Sequence, residues 1–92
     1  NPEHLYFACS KEDAEEYLEH GLYPGDRNMV HLSSTRLNAL EAGRHIIGKP
    51  IVLLVDVRAA EDGGNEIMKA GTTVYLSKEI SGKHLKQLPD ST

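Results

Sequence analysis

Ile51-Val52-Leu53-Leu54-Val55-Asp56-Val57 is the strongest strand signal in the chain. Its unbroken aliphatic run has no polar face, which predicts a strand buried on both sides at the centre of a sheet. Gly48-Lys49-Pro50 precedes it and stops the segment before, because proline cannot continue a helix. That segment, residues 36–47, spaces Leu37, Leu40 and Ile47 for one helical face. Ser33, Ser34 and Thr35 stand ready to cap it, and Gly43 weakens it. Before the caps, Met29-Val30-His31-Leu32 reads as a second strand and Tyr23-Pro24-Gly25-Asp26 as a turn.

Further out, Leu5-Tyr6-Phe7-Ala8-Cys9 predicts a first strand. Ser10 follows as the cap of a helix over residues 11–20, with acids in its first turns and Ala14, Tyr17 and Leu18 as its apolar stripe. Gly21 stands at its C-terminal end. Downstream of the central strand, residues 58–65 read as a polar connection. Residues 66–69 and 72–76 read as two strands joined near Ala70-Gly71, and residues 81–88 are ambiguous. Strands and helices alternate at first and then give way to strands alone, so the fold class is α+β with two short helices.

With 92 residues, the chain reads as one domain spanning 1–92, with a modest core. Its composition, 39% hydrophobic and 26% charged, is that of a globular protein. The longest apolar run, residues 51–55, is too short for a transmembrane helix, and the N-terminus lacks the pattern of a signal peptide. One cysteine excludes an internal disulfide and any zinc site built on two or four cysteines, which favours a reducing, cytoplasmic setting. The five histidines lack the close spacing of a metal site, so no metal is expected. The chain opens on Asn1, as a fragment or processed form would.

A net charge of −4 conceals a strong asymmetry. Residues 11–20 hold five acids against Lys11, whereas residues 27–49 carry Arg27, Arg36, Arg44 and Lys49 against Glu41 alone. The acidic stretch fits a solvated helix face, and the basic one fits either a solvated face or an anion site. Absence of aromatics from the basic stretch excludes base stacking there but not contact with a phosphate backbone. On a strand, Val30 and Leu32 share one face and His31 takes the other, where it either lines a cleft or bonds to backbone. Arg27, just before it, presents a fork of donors suited to phosphate, or is a plain surface arginine. Cys9 ends an apolar strand and reads as a small buried hydrophobe rather than a nucleophile paired with His31.

The run Gly21-Leu22-Tyr23-Pro24-Gly25-Asp26-Arg27-Asn28-Met29-Val30-His31-Leu32-Ser33 resembles the "G-L-x-P … R-x-H-V-H-L-S" pattern of the RNA 2'-phosphotransferase family, in its C-terminal ADP-ribosyltransferase-like lobe. Leu5-Tyr6-Phe7-Ala8-Cys9 stands where that family has "L-Y-H-G-T". Gly48-Lys49-Pro50-Ile51-Val52-Leu53-Leu54-Val55-Asp56 is similar to its "G-K-P-V-V-L-x-V-D" strand. The resemblance covers nearly the whole chain and implies a split β-sheet lobe.

It also implies a reaction: an RNA 2'-phosphate, in the setting of tRNA splicing, is transferred to NAD⁺ as co-substrate without a metal. Arg27 matches the family's phosphate-clamping catalytic arginine. Positions matching cofactor contacts are Phe7, Ala8, Cys9, His31, Ser33, Thr73 and Val74. Three motifs depart from the pattern. His-Gly-Thr reads Phe7-Ala8-Cys9, the first histidine of His-Val-His reads Met29, and Ser-x-Asn-Gly-Val reads Ala70-Gly71-Thr72-Thr73-Val74. The family's N-terminal lobe, which brings further cationic residues to the RNA phosphate, has no counterpart in these 92 residues. Two readings follow. One is the NAD-dependent transferase lobe of a larger enzyme. The other is a non-catalytic module that keeps the fold and binds a nucleotide, an RNA phosphate or a protein. A small hydrolase built on His31 finds no support in the spacing.

Overall fold

A computed structural model describes residues 1–24, 28–44 and 48–89. Six strands form one antiparallel sheet: β1 (His4–Cys9), β2 (Val30–Ser33), β3 (Ile51–Asp56), β4 (Ile67–Lys69), β5 (Val74–Ser77) and β6 (Leu85–Gln87). Their spatial order is β4-β5-β2-β1-β3-β6. Among the described residues three α-helices accompany them: α1 (Lys11–His20), α2 (Arg36–Arg44) and α3 (Val57–Asp62). The architecture is α+β, as the loss of alternation in the second half predicts.

β3 pairs with β1 along its whole length, from His4↔Asp56 to Cys9↔Ile51, and with β6 on its other side. It therefore has strand neighbours on both edges but lies one strand in from the sheet margin; β1 and β2 hold the centre. Val52, Leu53 and Val55 are buried on opposite faces, which accounts for the unbroken aliphatic run. On one face Phe7, Cys9 and Leu53 pack with Ala14, Tyr17 and Leu18 of α1. A larger cluster joins Leu5, Val30, Leu32 and Val55 to Leu22, Val57, Tyr75 and Ile80.

Local chemistry explains the helix ends. The Asp13 amide donates to Ser10 Oγ at 3.1 Å, and Gly21 ends α1 at φ 95°. A Cβ on Gly21 would sit 2.7 Å from the Ile80 carbonyl, so both backbone conformation and space require glycine there. The Asn38 amide donates to Thr35 Oγ1 at the start of α2. α2 begins at Arg36 as expected; its expected final residues, 45–47, lie outside the described residues, as do Gly25 and Asp26 of the expected turn.

Three details differ from the sequence expectation. The second strand is shifted by one residue, to Val30–Ser33. The connection after β3 contains α3, because Asp56 leaves the strand as an N-cap, accepting from the Ala59 amide at 3.1 Å. Only Val57 and Ala60 of this helix are buried, too few positions to show a helical period in the sequence. The ambiguous segment resolves into a 3-10 turn at Gly82–His84 and strand β6. The expected hairpin forms between β4 and β5, in the register Ile67↔Ser77, Met68↔Leu76 and Lys69↔Tyr75.

A candidate nucleotide cleft at the split of the sheet

The two halves of the sheet, β4-β5-β2 and β1-β3-β6, meet at one register pair, Tyr6↔Ser33. Beyond it the C-terminal half of β1 and the N-terminal half of β2 splay apart. Each keeps its partner on the far side: β1 stays paired to β3 through Cys9, and β2 to β5 through Val30. Among the described residues the facing main-chain edges at the split have no ladder partner, so their amides and carbonyls call for other polar partners. The gap opens into a cleft of about 520 Å³. That volume falls within the usual range for small-molecule sites, about 300–1,000 Å³.

The walls of the cleft come from four elements. Phe7 and Ala8 stand on β1, and Met29, Val30, His31 and Ser33 on and just before β2. Tyr17 of α1 joins Tyr23 beyond it, and α2 contributes only small residues, Ala39, Ala42 and Gly43. The rings of Phe7 and Tyr17 meet edge-on at 5.8 Å, and those of Tyr17 and Tyr23 at 5.4 Å, which makes one continuous aromatic wall. Burial, reinforced by Asp13, pushes the Tyr17 phenol up from its ordinary range. Hydrogen bonding to Glu16 does the same for Tyr23. Both shifts favour the protonated phenol, and the Tyr23 hydroxyl is engaged by Glu16. No carboxylate lines the cleft among the described residues, although Asp13 and Glu16 stand close enough to act on the two tyrosines of its wall.

The residues singled out in the sequence fall into three groups. Phe7, Ala8, His31 and Ser33 all line the cleft. Val30 and Leu32 are buried while His31 is exposed, so the histidine turns away from the core as strand alternation predicts. Its Nδ1 is 3.2 Å from the Met29 carbonyl; donation along that contact leaves Nε2 as the free ring nitrogen. Cys9, Thr73 and Val74 do not line the cleft. Cys9 is 2% exposed, and burial pushes its thiol up to about 12. The Thr73 carbonyl accepts from the Ser34 amide at 2.9 Å and ties the β4–β5 turn to the segment behind Ser33. Arg27 lies outside the described residues.

Tyr17 and Tyr23 escape the sequence reading as site residues. The first falls on an apolar helical stripe and the second in a turn, and only the close of α1 at Gly21 brings their rings together. Among the described residues no group of three or more His, Cys, Asp or Glu is arranged for a metal, and no helix is long and apolar enough to cross a membrane.

Fold and cleft together define an α+β chain whose antiparallel sheet is parted around a cavity of about 520 Å³. The chain belongs to the RNA 2'-phosphotransferase, Tpt1 / KptA family, whose sequence profile matches residues 1–79. It is 33% identical over 85 residues to a probable RNA 2'-phosphotransferase of Thermoplasma acidophilum, covering 92% of this chain and 36% of that protein. A probable RNA 2'-phosphotransferase of Pseudomonas paraeruginosa is 35% identical over 86 residues, covering 94% of this chain and 47% of its own length. One from Agrobacterium fabrum is 36% identical over 92 residues, 99% of this chain and 48% of its own. The chain thus spans between about a third and a half of the relatives it matches.

Proposed function

We propose that this chain is the NAD⁺-binding lobe of an RNA 2'-phosphotransferase, and that the cleft between β1 and β2 receives the nicotinamide riboside end of NAD⁺. One observation carries the reading: Met29, Val30, His31 and Ser33, from the described end of the Arg27–His31–Ser33 motif, form a wall of the cleft at the point where the sheet parts. The residues present fit such a group. Phe7, Tyr17 and Tyr23 would offer an aromatic surface to a flat heterocycle, the strand edges would offer amides to a carboxamide, and Ser33 and His31 would offer hydrogen-bonding groups to ribose hydroxyls.

NAD⁺ supplies an anomeric carbon carrying a good leaving group. The protein's own part is to hold the ring against the tyrosines, limit water at the splayed strands and bring phosphate charge to that carbon. Arg27, matching the family's clamping arginine, presents paired donors to the 2'-phosphate of the RNA. The relatives are two to three times longer than this chain, so turnover is assigned to the longer protein rather than to this lobe.

A second reading, a module that binds a nucleotide, RNA phosphate or protein without turnover, draws on a different observation. Where the family pattern has His-Gly-Thr, this chain offers a ring, a methyl and a buried thiol held protonated. Titration of NAD⁺ into isotopically labelled protein tests the first. Shifts at Phe7, Ala8, His31 and Ser33 are expected, and silence at millimolar NAD⁺ would overturn the first reading for this chain. Arg27→Ala is expected to weaken a phosphate-bearing ligand by about 1.5–3 kcal/mol, the worth of a charged hydrogen bond, without moving the urea midpoint. An equal loss of stability would make Arg27 a scaffold residue.

A further inference from the structure

A second concavity, also about 520 Å³, lies on the other flank of α2 from the cleft. Arg36, Leu40 and Arg44 recur every four residues along one helical stripe, and Lys49 and Pro50 form the facing rim before β3. Its far wall is the segment after β6, pinned where the Leu88 amide donates to the Val52 carbonyl at 2.9 Å. Three cations thus converge on a groove with no acid among its described lining residues, on a chain whose net charge is −4.

Two features of Arg36 favour an anion in the groove. Arg36 is the first residue of α2, whose first turn contains no acid, whereas α1 carries Glu12 and Asp13 at its start. A cation there has the wrong sign for the helix dipole, a local conflict that favours a negative group nearby. Arg36 also donates through Nη2 to the Pro89 carbonyl, while its Nε is buried with no acceptor among the described residues. A buried unsatisfied donor on a guanidinium is costly unless an anion or water meets it.

We propose that this groove binds the phosphodiester backbone of the RNA substrate, with Arg36, Arg44 and Lys49 as its contacts. The choice of RNA rests on the phosphotransferase reading. Ala39, Ala42 and Gly43 of α2 face the cleft, and Arg36, Leu40 and Arg44 face the groove, so one helix, about 10 Å across, divides the two sites. RNA held in the groove is thereby positioned one helix width from the place where its 2'-phosphate would react. With no aromatic in the lining, the groove reads backbone charge and not bases.

The test uses a single-stranded RNA of about ten nucleotides without a 2'-phosphate, a length typical of single-strand binding sites. Its affinity is measured over a salt series for the wild-type chain and for the double variant Arg44→Gln, Lys49→Gln. Both residues are exposed, and circular dichroism checks the fold. Amide shifts at Arg44, Gly48 and Lys49 are expected in the wild type. The slope of log affinity against log salt should fall by about 1.4 in the double variant, roughly 0.7 for each lost phosphate contact.

An unchanged slope, or RNA shifts confined to residues 29–33, would overturn the proposal. So would equal shifts from inorganic phosphate at matched concentration, or equal binding of polyglutamate, since either would reveal a general anion site. A separate NAD⁺ titration distinguishes the two readings. A silent cleft beside a responsive groove removes the cofactor assignment and leaves this one standing, and the converse removes this one alone.

Discussion

Cys9 ends β1 beneath α1, where Ala14 and Leu53 enclose it. Burial is the larger reason, and Asp13 the smaller, that its thiol is pushed from its ordinary 9.0 up to about 12. The folded chain therefore keeps a proton that the unfolded chain gives up. Between those two values the unfolded state binds fewer protons, so stability falls as pH rises through this window and is undiminished below it. Unfolding midpoints measured from pH 8 to 11 should decline, and Cys9→Ala should flatten that alkaline limb. An identical decline in the variant would assign the effect to other groups. The same protonation makes Cys9 unreactive towards alkylating agents at neutral pH in the native state. His31 is the opposite case: strand alternation alone turns it out of the core, and that direction is legible in the sequence. Arg36 was readable as a charge but not as a donor lacking an acceptor, because that depends on the Pro89 segment that folds over it.

Among the elements, α2 shows how a poor helix residue can be the right one. Gly43 costs roughly 1 kcal/mol of helix propensity relative to alanine. A Cβ at this position would lie 2.8 Å from the Ala8 Cβ and 3.3 Å from the Pro50 Cβ. The helix thus presses its backbone against β1, and the same contact shapes the small-residue wall of the cleft. Gly43→Ala is expected to destabilise the fold by about 1–3 kcal/mol, the scale of overpacking, despite the gain in propensity. A higher urea midpoint in the variant would show that α2 can move aside without loss. In the sequence Gly43 reads only as a weakness, since the partner that explains it is 35 positions away. α3 was illegible for a related reason: one capping aspartate and two buried side chains are enough to make it, and neither produces a periodic pattern.

At the scale of the whole molecule, the informative feature is the single register pair between the halves of the sheet. Each half has its own ladder and the shared core of Leu5, Val55, Val30, Leu32 and Tyr75 spans the seam, whereas the main-chain pairing there is sparse, so a ligand in the cleft would touch both halves and add polar links between them. Saturation at one hundred times the dissociation constant stabilises a folded state by about 2.7 kcal/mol. In a domain of this size that corresponds to a rise in Tm of about 10 °C or more. NAD⁺ is expected to give that rise in a thermal melt, and nicotinamide alone at equal concentration only a fraction of it. No rise at saturating NAD⁺ would argue that the seam is not its site.

The order of elements from β1 to β3, the β4–β5 hairpin, the α+β class, both caps of α1 and the outward turn of His31 follow from the sequence by itself. They depend on periodicity, capping chemistry and turn residues, which act over a few positions along the chain. The aromatic wall, the reason for Gly43 and the groove with its buried guanidinium nitrogen came only with the tertiary structure. Each depends on side chains from segments far apart in sequence, and only the parting of β1 from β2 and the placement of α2 across that seam bring them together.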